Sequence, residues 1–174
     1  MSAPNQKLCV INDFLGERLA NAMLAMARAR SRGWATGRSE ELTPTGRFGA
    51  SVTDILSRTL PKVWNQFGLR ADRTASLAAL ELRHWDASPS ARFVDFRAPV
   101  DAQFRFWFAA FLYARPLVFV GGELSAGTGE MVDIVSPRND RAVFGTQGPL
   151  VLRPLQMLGG GLDGDLYLLS GAIR

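Results

Sequence analysis

This sequence is short of the side chains from which most enzyme sites are built. It has one histidine, His84, and one cysteine, Cys9, in 174 residues. A single thiol can neither close an internal disulfide nor make a zinc cluster, so a reducing, cytoplasmic compartment is expected. With a lone imidazole, any metal site would have to complete its ligand set without a second histidine. Lys7 and Lys62 are the only lysines, so the net charge of +4 and the pI near 10.0 are carried by arginine. The arginines are scattered rather than run together, which argues against nucleic acid as a partner. No apolar run reaches the roughly 18 residues needed to span a bilayer. The nearest, residues 104–120, is interrupted by Arg105, Arg115 and Pro116. The first residues lack a basic start followed by an apolar stretch, so no signal peptide and no membrane partner are expected. A phosphate-binding loop, a dinucleotide fingerprint and a nucleophile elbow are all missing. Gly159, Gly160 and Gly161 form a loop, since no helix start with Lys or Ser/Thr follows them.

What is present is apolar. Hydrophobic residues make up 47% and charged residues 21%, enough to bury a core within a single domain over residues 1–174. Eleven Phe and four Trp supply large side chains to fill that core or line a pocket. Residues 8–11 form a strand, and Asn12 and Asp13 a turn. A helix follows over residues 15–32, because Leu15, Leu19, Ala22, Met23, Met26 and Ala27 recur at three- and four-residue spacings. Residues 34–50 are polar and loop-like, with a short strand near residues 47–49. A second helix covers residues 53–67, with a break or kink at Pro61.

The texture changes at about residue 76. Short apolar runs then alternate with turn residues: 77–85, 104–113, 122–126, 131–135, 142–144, 150–155 and 166–173. This spacing predicts a sandwich or barrel. The fold class is therefore α+β, mainly β, with residues 1–75 a mostly helical support and residues 76–174 the strand-rich core. Phe104, Phe106, Trp107 and Phe108 mark a central strand buried on both faces.

The stretch with most chemistry is Leu80-Glu81-Leu82-Arg83-His84-Trp85-Asp86. In a strand, Leu80, Leu82, His84 and Asp86 share one face. Two readings follow. In one, His84 and Asp86 enter a barrel interior as part of a 2-His-1-carboxylate iron site. In the other, His84 is hydrogen-bonded in a core and Asp86 is solvated. Arg153, Arg141 and Arg174 are candidate carboxylate anchors. Gly121-Gly122-Glu123-Leu124 has the composition of a tight hairpin.

Several segments, taken in order, resemble the iron(II)/2-oxoglutarate-dependent oxygenases, in particular the bacterial branch similar to prolyl 4-hydroxylases. Val10-Ile11-Asn12-Asp13-Phe14-Leu15 is similar to that family's opening strand and helix. His84-Trp85-Asp86 resembles its His-x-Asp motif, and Phe119-Val120-Gly121-Gly122-Glu123-Leu124 its hairpin. Residues 134–144 resemble its next strand pair, and residues 163–174 its last strand. The resemblance covers nearly the whole chain. It implies a double-stranded β-helix, a cupin-like jelly roll with N-terminal helices. It further implies an iron site of His, Asp and a distal His, and a late arginine on the far carboxylate of 2-oxoglutarate. By the same likeness the distal histidine position falls at Leu150 and the arginine position at Leu166. Leucine can fill neither role. Gln147 is then the candidate for a third metal position beside His84 and Asp86, and Arg153 or Arg141 for the anchor. The expectation is a small-molecule site in the barrel of a protein that has lost 2-oxoglutarate-driven hydroxylation, with His84 as acid/base and Asp86 orienting it. The alternatives are an iron oxygenase on a reduced ligand set and a non-catalytic scaffold.

Overall fold

A computed structural model describes residues 8–34, 38–72, 74–85, 94–96, 104–113, 119–120, 123–128, 131–146, 150–152, 156–157 and 166–174. In chain order the elements are β1 (Cys9–Ile11), α1 (Glu17–Arg30), β2 (Ser39–Glu41), α2 (Arg47–Phe67), β3 (Leu77–Trp85) and β4 (Val94–Phe96). Then come β5 (Phe106–Leu112), β6 (Phe119–Val120), β7 (Leu124–Thr128), β8 (Met131–Val135), β9 (Ala142–Gly145), β10 (Leu150–Leu152), β11 (Gln156–Met157) and β12 (Leu166–Ile173). Six strands form an antiparallel sheet in the order β1-β9-β5-β12-β3-β2, and four form a second sheet in the order β4-β10-β7-β8. A short pair, β11 and β6, stands apart. No helix of the described residues is long and apolar enough to cross a membrane.

The central strands of the larger sheet, β5, β9 and β12, are buried on both faces, so the sheet must be covered on both. One face meets the helices: Met23, Leu24 and Ala27 of α1 and Val52, Leu56, Leu60 and Val63 of α2 pack with Leu80, Leu82, Phe108, Phe144, Tyr167 and Leu169. The other face meets the smaller sheet: Trp107, Ala109, Phe111, Val143, Leu166 and Leu168 pack with Leu124 and Val135. All of β5 and all of β12 are buried, as expected of central strands.

Two local expectations fail for physical reasons. The segment expected to hold a strand near residues 47–49 is the first turn of α2, and the short strand lies earlier, at Ser39–Glu41. Gly49 gave that stretch its loop-like look, yet its role is close approach: a Cβ there would sit 2.2 Å from the Pro44 carbonyl oxygen. Pro61 lies within α2, which runs on to Phe67. The carbonyl left without a helical donor is that of Ser57. Both residues are exposed, so water can satisfy that group. Gly68 then ends the helix at φ 66°, a left-handed cap that glycine adopts without strain.

Asp140 ties the helix layer to the sheet. Its carboxylate accepts the Leu15 and Gly16 N–H groups at 2.7 and 2.9 Å, satisfying donors just ahead of α1. Its backbone N–H donates to Phe111 at 2.8 Å and its carbonyl accepts from Phe14 at 3.0 Å. It holds φ 61°, which aspartate tolerates better than most residues. Burial pushes its carboxyl pKa up, against the two backbone donors that pull it down, and the charge of Asp13 adds to the rise. A raised carboxyl pKa means the protonated group favours the fold and ionisation opposes it. The Asp140 contribution is therefore full below about pH 4, the unfolded value, and declines as pH rises through the folded value. Asp140→Asn is expected to remove that segment of the stability–pH curve, measured by urea unfolding at a series of pH values. Asp140→Ala is expected to cost about 1–2 kcal/mol at neutral pH by loss of the cap.

Candidate functional site

The pairing of β3 with β12 decides which side chains can reach which core. Tyr167 lies opposite His84, Leu168 opposite Arg83, and Leu169 opposite Leu82. Directly opposed residues share a face. His84 therefore goes with Tyr167, which belongs to the helix-side core. Their rings are 5.2 Å apart and tilted by 35°. The Tyr167 hydroxyl pairs with the Ser31 hydroxyl at the end of α1, 2.7 Å away, and all three residues are buried. The His84 backbone N–H donates to the Arg38 carbonyl at 3.0 Å.

This corrects the expected orientation. Leu80, Leu82 and His84 do share a face, but it is the face toward the helices, not the one toward the second sheet. The residues that β3 presents to the second sheet are Glu81 and Arg83. Arg83 Nε and Nη2 both donate to Glu81 Oε1, at 2.9 and 2.6 Å. The side chains are 19% and 31% exposed, so the pair lies at a margin of the inner face rather than deep within it. Neighbouring positions on that face are Ser170, opposite Glu81, and Leu168, opposite Arg83. Further in lie Ala109, opposite Ser170, and Trp107, opposite Ala172. Trp107 is 3% exposed and its Nε1 has no hydrogen-bond acceptor among the described residues. Its ring covers Gly145, where a Cβ would come within 2.2 Å of Trp107 Cζ2.

The positions singled out in the sequence are not all brought together. Asp86, Gln147 and Arg153 lie outside the described residues, as do Gly121, Gly122 and the glycine run at 159–161. Leu150 is in β10, in the smaller sheet, opposite Phe96 on one side and Ala126 on the other. His84 is in the larger sheet. The carboxylate residue on the strand beside Leu150 is Asp95 of β4, opposite Val151. Nothing in the sequence flagged it, because a three-residue strand has too little alternation to register. Leu166 is fully buried on the inner face. Arg141 is held at the surface by Asn12 Oδ1, at 2.8 Å, and by the Ser136 carbonyl, at 2.9 Å. Arg174 pairs through its backbone with Ser76 and its side chain is exposed. No group of three or more His, Cys, Asp or Glu that could hold a metal occurs among the described residues. Glu81 and Arg83 were also missed, although they alternate with the very residues that drew attention.

The buried contact of Tyr167 with Ser31 has a measurable consequence. Tyr167→Phe keeps the ring against His84 but leaves the Ser31 hydroxyl buried without its partner. A loss of about 1–2 kcal/mol in urea unfolding is expected. Adding Ser31→Ala to Tyr167→Phe should recover part of that loss, because neither polar group then remains unpaired.

No family model and no curated protein matches the sequence. Solved structures do match. A viral collagen prolyl hydroxylase from Paramecium bursaria Chlorella virus-1, in complex with 2-oxoglutarate, is 12% identical with a TM-score of 0.64, over 96% of this chain and 94% of that one. A Pseudomonas putida prolyl-4-hydroxylase is 17% identical with a TM-score of 0.60, over 97% of this chain and 92% of that one. HygX from Streptomyces hygroscopicus, with nickel and 2-oxoglutarate bound, is 10% identical with a TM-score of 0.58, over 97% and 83% of the two chains. At these identities the likeness is one of architecture. The chain has the double-stranded β-helix fold of the prolyl 4-hydroxylase-like 2-oxoglutarate and iron(II) oxygenases.

Proposed function

We propose that this chain is a diverged protein of the oxygenase fold that no longer carries out 2-oxoglutarate-driven hydroxylation and instead binds a small molecule between its two sheets. One observation carries this reading. The only histidine in the sequence is buried on the helix side of the larger sheet, against Tyr167. The face toward the second sheet therefore has no imidazole to offer a metal.

Iron(II) in a facial site takes imidazole and carboxylate ligands. Carboxylates and amides alone make a harder, weaker site that suits magnesium or calcium better than a redox metal. The residues present thus do not fit the iron centre implied by the fold. Leu166 supports the same conclusion for the co-substrate. It stands fully buried where the resemblance puts the arginine, and an aliphatic group there would leave a carboxylate without a charged donor, a loss of about 1.5–3 kcal/mol. His84 has no acid/base step in this reading. It is a packing and hydrogen-bonding group of the helix layer.

The reading is tested by anaerobic calorimetry with Fe(II) and 2-oxoglutarate, together with oxygen uptake in their presence. No micromolar iron site and no 2-oxoglutarate-dependent oxygen uptake are expected. His84→Ala should lower the unfolding temperature, because it leaves a cavity beside Tyr167, and should leave metal affinity unchanged. Stoichiometric iron binding that is lost in His84→Ala would sink the proposal and restore the reduced-ligand oxygenase.

A further inference from the structure

We propose that the groove between the start of α1 and the start of α2 docks an amphipathic helix of a partner protein, one whose apolar stripe is flanked by aspartate and glutamate. The groove lies in the helix layer, not between the sheets, so this inference goes beyond the reading of the interior and does not depend on it.

The groove holds about 840 Å³ and is open to solvent. Its floor is apolar. Leu15 is buried there, while Leu19, Phe48 and Ile55 are partly buried, packed on the helix-side core beneath and lining the groove above. Leu19 and Ala22 of α1, and Phe48, Ser51 and Ile55 of α2, follow one another at three- and four-residue spacings, so each helix lends one side to the groove. Ala22 and Ser51 are small, which lets a third helix approach the other two closely. An apolar floor between two helices, without a closed mouth, matches the face of an amphipathic helix better than a small ligand, which pockets bury almost entirely.

The rim decides the chemistry of the occupant. Arg18 on α1 and Arg47 on α2 are exposed, and neither guanidinium has a hydrogen-bond or ion-pair partner among the described residues. Arg58 also lines the groove and is paired with Asp54 at 2.7 Å, with both side chains largely exposed. Such a pair is weak, so Arg58 can serve an incoming carboxylate as well. Glu17 is the other acid of the rim. The α2 side is the more positive: Arg47 is the first helical residue, no side chain caps the helix start, and its first turn has no acidic residue. A cation there opposes the helix dipole, and nothing on the helix offsets it. Carboxylates on the two flanks of a docked helix meet Arg18 on one side and Arg47 on the other, which sets both register and partner choice. A second copy of this chain does not fit, because a two-fold contact through this face sets the same arginines against each other. A bilayer does not fit either, since it takes up a convex apolar face and this one is concave.

The probe is a fluorescein-labelled synthetic helix with Leu at three- and four-residue spacings and Glu on both flanks, titrated with the full chain and followed by fluorescence anisotropy. The same helix with Lys in place of Glu is the comparison. The acidic helix is expected to bind at least about tenfold more tightly than the basic one. Arg18→Glu combined with Arg47→Glu should reverse that preference. Ala22→Trp, which fills the groove, should weaken binding of the acidic helix at least about tenfold. Arg70→Glu, the same charge change beyond the end of α2, should leave the preference as it is. Arg47→Glu alone should raise the unfolding temperature, because it places an acid at the helix start, so its lost binding is not lost folding. Equal binding of the two helices, an unreversed preference in the double variant, or full affinity in Ala22→Trp would overturn the groove as a docking site. So would binding of phosphatidylserine vesicles, lost in the double variant, by a chain that ignores the acidic helix.

Discussion

β12 is hydrogen-bonded along both edges, to β3 and to β5, and all eight of its residues are buried. A strand held this way has no freedom of register. Its alternation assigns every neighbour to one of two cores, and a shift by one residue would exchange the two sets. Tyr167 and Leu169 face the helices, while Leu166 and Leu168 face the second sheet. Through the pairing, His84 follows Tyr167 and Arg83 follows Leu168. The chemistry available between the sheets is thus set by parity along a single strand.

The same constraint anchors the helix layer. α1 is fixed near its start by Asp140, from the turn between β8 and β9, and at its end by the Ser31–Tyr167 contact. An ion pair from Arg30 to Glu40 of β2 adds a third tie. Exposed as it is, that pair contributes little, typically under about 1 kcal/mol. The buried contacts matter more, because each satisfies polar groups that water cannot reach. His84 belongs to this assembly. Its ring fills space beside Tyr167 that an aliphatic side chain would fill differently, and its backbone holds Arg38 next to β2. An isolated histidine on a strand has these packing duties available to it before any metal enters the account.

Much of the fold was legible in the sequence. The strands at Leu77–Trp85, Met131–Val135 and Leu166–Ile173 begin and end where the apolar runs do, because long runs between turn residues have few alternatives. The shortest strands, Ser39–Glu41, Val94–Phe96 and Gln156–Met157, were not legible, since two or three residues carry no period. The facing of His84 was not legible for a different reason. Alternation states which residues share a face, but not which layer that face meets. Leu80 and Leu82 look like core residues, and in a fold with one core His84 would follow them to the site. This fold has two cores, and the helix side takes the leucines. The polar partners, Glu81 and Arg83, look like a solvated face in the sequence and lie instead at the edge of the inner one.

That inversion changes what the interior can do. Redox chemistry on a bound metal needs soft or nitrogen ligands converging from several strands, and among the described residues the inner face offers a guanidinium, a carboxylate, a hydroxyl and an indole N–H. The Glu81–Arg83 pair is close to electroneutral, so it sits at a half-buried margin at little cost, whereas an unpaired charge there would have to shift its ionisation or draw in water. Placing that pair beside fully buried Leu168 gives a steep gradient from polar to apolar over one strand spacing. With the only histidine of the sequence packed against Tyr167 on the helix side, any ligand set on the inner face would have to be built without imidazole.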